Sequence, residues 1–481
     1  MDGVHSRSLS LTRMKKTKII ATIGPASESH KNIAALMKAG TNIFRFNMKH
    51  STVEWHNERI KRVQKISDSL KNPVGIMIDL QGPEIRILTK NKGEISFKKN
   101  EWIIFGKSFS SPKINMVIPN CGILKMLKKN DLFSIDNGFF EFEVVKKEKE
   151  AIIARALGEG LIKNRKGVNF PGKKIELPSL IKDDLKKLDM AARTKIDFIA
   201  LSFSRTKENI ELLRNEMKKR KITAQIVAKI ENKEALDNIE ELIEAADATM
   251  IARGDLGVEI PIEQIAYWQK LIISKCREKR KPVIVATQML MSMINNPSPS
   301  RAEATDVANA VFDGTDAVML SEETAIGKYP VKTVETMSRI LNFNEKKCPS
   351  LKLPLKPNSF VDLISEAGME ILENHKDFNI TKALVFTSTG YSARALSCLR
   401  PNIPIITITN NKKTADFSAL LYGVTSFFVK FPTGDFRSPL PILNELKKQG
   451  LIKINENVLI IYGGNWKKIE INNSLSIAKV N

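Results

Sequence analysis

Eight short runs of β-branched and aliphatic residues recur through the first two-thirds of the chain, each stopped by a polar residue or glycine. They are Lys18–Ile23, Asn42–Phe46, Gly75–Leu80, Asp197–Leu201, Gln225–Ile230, Ala248–Ala252, Val283–Thr287 and Ala317–Leu320. Between most of them apolar residues return with a helical period, as in Asn209–Lys219 and Ile262–Lys279. Eight strands alternating with helices predict an α/β fold of the (β/α)8 TIM-barrel type. One interval breaks the rhythm: after Leu80 no long amphipathic helix is expected until about Asp184. Strand-like segments fill the gap, at Glu101–Gly106, Leu132–Ile135, Phe139–Val145 and Ala151–Ala156. They read as an inserted, β-rich cap domain.

From about Cys348 a further α/β alternation begins, with strand-like Ala383–Thr387, Ile405–Thr409, Ser426–Val429 and Val458–Ile461 behind a proline-bearing linker at 349–358. The expected organisation is an N-terminal tail over 1–16, a catalytic barrel over 17–80 and 178–347, a lid over 81–177, and a C-terminal α/β domain over 348–481. The 481 residues suit about three domains at roughly 150 residues each. Residues 1–13 lack an apolar core, which argues against a secretory signal and leaves a mis-assigned start at Met14 or a short transit segment as readings. Cys121, Cys276, Cys348 and Cys398 lie far apart, which excludes a CxxC metal or redox site and fits a reducing, cytoplasmic compartment. No apolar run approaches the ~20 residues of a membrane helix, so no membrane partner is expected. The net charge of +23 admits nucleic acid, anionic lipid, anionic small substrates or simply a Lys-rich composition. Aromatics are only 6%, and the lysines are spread along helices, which argues against nucleic acid.

In a barrel the catalytic groups come from the C-terminal ends of the strands. Here those ends carry Arg45-Phe46-Asn47, Asp79, Ser202-Phe203, Lys229 with Glu231, Arg253-Gly254-Asp255, Thr287-Gln288 and Ser321-Glu322-Glu323. A single charged strand end is ordinarily just solvated; seven in succession point to chemistry. Lys229 and Glu231 alternate along one strand and so project the same way. Glu231 and Asp255, expected on adjacent strands, offer hard oxygen ligands with no His or Cys beside them, the donor set of Mg2+ or Mn2+ rather than zinc. Arg45, Arg86 and Lys229 are fixed cations suited to a phosphoryl group. Gly167–Lys174 nearly matches a phosphate-binding P-loop, but it lacks the final Ser or Thr, and Pro171 removes a needed N–H. It reads as a turn closing the inserted domain.

Taken together, the segments KIIATIGP (Lys18–Pro25), DLQGPEIR (Asp79–Arg86), KGVNFPG (Lys166–Gly172), KIEN (Lys229–Asn232), IARGDLGVEIP (Ile251–Pro261), ATQMLMSM (Ala286–Met293), PSRAEATDVAN (Pro299–Asn309) and SEETAIG (Ser321–Gly327) resemble the pyruvate kinase family. The resemblance implies phosphoryl transfer from phosphoenolpyruvate to ADP, giving pyruvate and ATP, as a homotetramer. It implies that Glu231 and Asp255 hold magnesium, that Lys229 and Arg45 contact the transferring phosphoryl group, and that Ala252, Arg253, Gly254 and Asp255 hold the rest of the substrate. Thr287 falls at the family's proton-relay hydroxyl; Asn47, His50, Arg86 and Lys166 fall on the nucleotide side. Thr387, Ser388, Thr389, Gly390 and Ser392 resemble a phosphate-gripping loop for a sugar-phosphate or nucleotide effector, and a hydroxyl-rich helix cap is the plainer reading.

The sequence departs from the family at its potassium site, expected at Asn47, Lys49, Asp79 and Leu80. Lys49 stands where the family has a serine ligand, and Leu80 replaces a threonine. An ammonium cannot ligate a cation; it repels it or replaces it. The expectation is that Lys49 supplies the positive charge internally, so that K+ is not required. Glu84, the residue of potassium-dependent members, keeps open a damaged site that still needs K+. Gln81, Asn137 and Glu322 also depart from the family pattern, and none removes a group that carries the chemistry. The alternative enzyme is another magnesium barrel handling phosphoenolpyruvate or an oxoacid.

Overall fold

The computed structural model describes residues 15–119, 121–173, 175–348, 356–429, 440–463 and 474–480. Strands β1 (Lys18–Thr22), β2 (Ile43–Asn47), β3 (Gly75–Asp79), β4 (Phe198–Leu201), β5 (Gln225–Ile230), β6 (Ala248–Ala252), β7 (Val283–Ala286) and β8 (Ala317–Leu320) form a closed, all-parallel barrel in sequential order. Closure is between β1 and β8, with Lys18 opposite Ala317 and Ala21 opposite Leu320. Helices cover the outside while side chains fill the inside, so these strands are almost wholly buried; this is why they read as continuous apolar runs. Helix ends follow local chemistry. Ser300 and Glu303 form a capping box at the start of the Arg301–Asp313 helix, and Gly314 at φ +89° ends it.

Between β3 and β4 the chain builds a seven-stranded sheet in the order Val168–Asn169, Leu132–Ile135, Phe140–Lys147, Ala151–Ala156, Trp102–Gly106, Met116–Val117 and Leu88–Thr89. Phe105, Phe133 and Phe142 fill its separate core, with ring centroids 5.1–5.4 Å apart. The chain leaves the barrel and returns to it beside one buried carboxylate. Asp184, on the Lys182–Ala191 helix, accepts from the backbone N–H groups of Gln81 (3.0 Å) and Gly82 (3.2 Å).

The C-terminal sheet runs β11 (Val424–Phe428), β10 (Ile405–Thr409), β9 (Ile380–Phe386), β12 (Asn457–Tyr462) and β13 (Ser474–Lys479), with only β13 antiparallel. It packs under the N-terminal end of the barrel. Phe198 of β4 meets Phe417 at 6.2 Å between ring centroids, and Arg400 pairs with the buried Asp316 at 2.9 Å. β13 is a strand that the sequence reading did not anticipate. The expected linker lies mostly in 349–355, outside the described residues.

Candidate active site

Four charged side chains interlock at the C-terminal ends of β2, β3 and β5. Arg45 donates from Nε (2.9 Å) and Nη2 (2.6 Å) to Asp79 Oδ2, and from Nη1 to Thr22 Oγ1 (3.0 Å). Lys229 Nζ lies 3.2 Å from Asp79 Oδ1 and 2.6 Å from Glu231 Oε1, and donates to Ser202 Oγ at 2.8 Å. Ser202 Oγ passes a hydrogen bond to the Leu80 carbonyl (2.7 Å), and Glu231 Oε2 accepts from the Phe203 N–H (2.7 Å). Lys229 and Glu231 thus share a face, as strand alternation requires. All four charged residues are buried.

Burial opposes each of these charges, and the partners decide the outcome. For Lys229, burial lowers the pKa, but Asp79, Glu231 and Asp255 outweigh it and hold the ammonium above the ordinary lysine range. Asp79 is held low by Lys229 and Arg45 against the effect of its own burial. Glu231 moves the other way: burial raises it, Lys229 pulls it down, and the facing Asp255 adds to the rise. A Glu231 carboxyl raised in this way, with a second carboxylate acting on it, gains from a further cation. Among the described residues no cluster of three or more His, Cys, Asp or Glu side chains forms a closed metal cage. Two hard-oxygen donors, Glu231 and Asp255, fit magnesium, which is commonly held by one or two carboxylates with the remaining positions left to water and substrate.

Asp255 does not extend from a strand. It sits in the first turn of a short helix, Arg253–Glu259, which starts directly after β6. Gly254 N–H donates to Thr287 Oγ1 (2.8 Å), and that hydroxyl donates to the Ala286 carbonyl (2.6 Å). Thr287 has φ +68° and Gln288 φ +53°, an uncommon state for a β-branched residue. The Arg253 side chain points to Asp306 and the Thr287 carbonyl.

On the neighbouring rim, Asn47 closes β2, and its Oδ1 accepts from the Lys49 backbone N–H (3.2 Å). Lys49 Nζ reaches Glu84, 2.9 Å from Oε2, and Arg86 donates to the same Oε2 from Nε (3.0 Å) and Nη2 (2.8 Å). His50 stands beside them. Partial desolvation, then Lys49, Arg86 and Arg45, push its imidazole below its ordinary range. The lid joins this group through backbone pairing of Arg86 with Gly167, which brings Lys166 alongside; Lys166 itself pairs with Asp136 (2.7 Å). Between lid and barrel mouth lies a cavity of about 170 Å3, lined in part by Glu84, Asn137, Asn169, Asp255 and Glu259.

The hydroxyl loop of the C-terminal domain is not brought to this site. It lies between β9 and the Tyr391–Cys398 helix, where Gly390 N–H donates to Thr387 Oγ1 (2.9 Å) and Thr414 Oγ1 donates to the Ser388 carbonyl (2.7 Å). Thr389 Oγ1 accepts a longer bond from Tyr391 N–H (3.4 Å), and Ser392 is buried. Ser202 and Asp306 are site partners with no individual role in the sequence analysis, and Glu84, considered there only as a mark of potassium-dependent members, anchors both Lys49 and Arg86.

A parallel barrel with a buried cation-carboxylate network at its C-terminal strand ends defines an α/β-barrel enzyme that handles anionic substrates. Residues 14–334 match the family model for the pyruvate kinase barrel domain, and residues 364–478 that for the pyruvate kinase alpha/beta domain. The chain is 39% identical over 422 residues to the pyruvate kinase of Bacillus licheniformis, covering 85% of this chain and 71% of that protein. It is 40% identical over 418 residues to the pyruvate kinase of Geobacillus stearothermophilus, with the same coverage. The chain belongs to the pyruvate kinase family and is a phosphotransferase with phosphoenolpyruvate and ADP as substrates. The family generally uses Mg2+ and K+. Among the described residues no helix is long and apolar enough to cross a membrane.

Proposed function

We propose that Arg45 and Lys229 hold the transferring phosphoryl group while Glu231 and Asp255 hold magnesium, with Ala252, Arg253 and Gly254 supporting the substrate end of the site. The observation that carries this is the buried Lys229, kept charged between Asp79 and Glu231 within 3.2 Å of both. When the phosphorus–oxygen bond to the enol breaks and that to ADP forms, charge spreads over the phosphoryl oxygens. An ammonium already fixed in place stabilises that charge without reorganisation. Bound magnesium would supply Lewis-acid neutralisation of substrate oxygens. Arg45 orients the group through its guanidinium, itself fixed by Asp79 and Thr22. The enolate left behind takes a proton at its terminal carbon, and the family resemblance assigns that delivery to the Thr287 hydroxyl. Asn47, His50, Arg86 and Lys166 form the nucleotide side.

The Lys49 ammonium, anchored on Glu84, supports the reading that this chain carries its own monovalent charge in the Asn47–Asp79–Leu80 region. Domain limits of 17–80 with 178–347, 81–177 and 348–481, a homotetramer and an effector bound at Thr387–Ser392 stand as proposals on the family resemblance. The test of the function is a lactate-dehydrogenase-coupled assay with phosphoenolpyruvate and ADP, with Mg2+ and K+ each omitted in turn. Turnover without K+ but not without Mg2+ is the expected result. Turnover independent of ADP would sink the phosphotransfer reading.

A further inference from the structure

Thr287 occupies a backbone conformation that a β-branched residue rarely adopts, and Gln288 follows it there. Such a state persists only where the surroundings over-determine it. The Thr287 carbonyl accepts from Arg253 Nη2 at 2.8 Å. The same guanidinium forks onto one carboxylate, Nη1 to Asp306 Oδ1 at 2.7 Å and Nη2 to Asp306 Oδ2 at 2.8 Å. Nη1 also donates to Gln269 Oε1 at 3.3 Å, and the Arg253 side chain is only 9% exposed. Asp306 lies within the capped Arg301–Asp313 helix, so the far end of the chain of contacts is rigid. At the near end, the Thr287 hydroxyl sits on the N–H of Gly254, one residue before Asp255.

We infer that Asp306 is a positioning residue for the reaction: it fixes the Arg253 fork, the fork fixes the strained Thr287 carbonyl, and the Thr287 hydroxyl is thereby held at the mouth of β7. Asp306 acts only through Arg253. A bidentate carboxylate–guanidinium pair sets both distance and plane, which a lone hydrogen bond to the Thr287 carbonyl would not. Without it, Thr287 has a route back to ordinary backbone angles, and its hydroxyl leaves Gly254. Loss should fall on the proton-delivery step rather than on substrate binding. This inference rests on the reading that Thr287 serves proton delivery.

The experiment compares T287A, D306N, D306E and the double variant D306N/T287A in the full-length protein. It follows kcat, the KM for phosphoenolpyruvate, and solvent deuterium exchange into the pyruvate methyl group with ATP and Mg2+ present. We expect D306N to lower kcat and methyl exchange by at least about ten-fold while KM stays within about two-fold. D306E should recover part of the loss, and the double variant should be no worse than T287A, because residues acting as one unit are not additive. Should D306N fail to fold, R253K should show the same fall in kcat and methyl exchange, since a lysine ammonium lacks the planar fork that pairs both Asp306 oxygens. Normal kcat and exchange in D306N beside an impaired T287A overturns the positioning role. Normal kcat and exchange in T287A overturns the proton-delivery reading beneath it, and the inference with it.

Discussion

The ammonium of Lys49, just past the end of β2, lies 2.9 Å from the carboxylate of Glu84, just past the end of β3. Glu84 also holds Arg86, so one carboxylate anchors two cations at the rim of the site. Lys49 is thereby tethered at the rim, two residues beyond Asn47, and on the proposal above its charge stands in for a bound potassium ion. We expect the parent protein to keep at least half of its kcat in potassium-free buffer. The Lys49→Ser variant should lose at least about ten-fold there and regain it with KCl. A parent that is inactive until KCl is added refutes the internal-charge reading.

Replacing Lys229 by methionine removes the cation that Asp79 and Glu231 share. Loss of such a preorganised group costs on the order of 10²–10³ in kcat. It also leaves buried carboxylates short of a partner, a defect worth about 3–5 kcal/mol of stability. Both a collapse of kcat and a lowered midpoint in urea are expected. A variant with parent-like turnover would show that Lys229 is only a structural counter-ion.

Gly24 follows β1, and a Cβ built on it would lie 2.5 Å from the Ala325 carbonyl oxygen and 2.8 Å from the Ala325 Cβ. The obstacle is space, and much of it is backbone that cannot rotate away. Gly24→Ala should cost about 1–3 kcal/mol through overpacking at the β1–β8 seam. Equilibrium denaturation checks this; an unchanged midpoint refutes it.

Asp197 lies buried at the N-terminal end of β4, and desolvation pushes its carboxyl up to about 6 from 3.8, with Lys195 only partly countering. The folded state therefore binds the proton more tightly than the unfolded chain. The stability from that proton is complete below about pH 4 and is lost as pH rises to about 6, above which a buried charge persists. Asp197→Asn keeps an acceptor for the Ile76 N–H, which now bonds to Asp197 at 2.8 Å. It should stabilise the fold relative to the parent by on the order of 2–3 kcal/mol at pH 7.5, and by little at pH 4. Melting temperatures across pH 4–8 check the sign; a variant less stable at pH 7.5 than at pH 4, relative to the parent, refutes it.

The barrel was legible because its strands are buried on both faces and carry their chemistry at one end. Ala248–Ala252 and Gln225–Ile230 coincide with observed strands, and Lys229 with Glu231 followed from strand alternation alone. The lid was less legible because Leu88–Thr89, Met116–Val117 and Val168–Asn169 have two residues each, too few to show a period. β13 alternates only weakly between partial and full exposure, so its edge position hides it. Asp306 could be read as part of a motif but not as the partner of Arg253, which is 53 residues away. Side-chain direction at the start of a short helix is set by tertiary packing, and no local pattern reports it.

The lid departs after β3 and rejoins before β4, yet those strands are hydrogen-bonded neighbours, with Met77 opposite Phe198 and Asp184 clasping the departing turn. The hoop of backbone bonds around the barrel is therefore complete without any lid residue. Insertions, deletions and sequence drift between the two crossings leave the barrel register untouched. The same architecture separates two constraints: strand pairing alone fixes the barrel's register, while within the lid it is the residues reaching the rim, Glu84 and Arg86 among them, that are tied to the site.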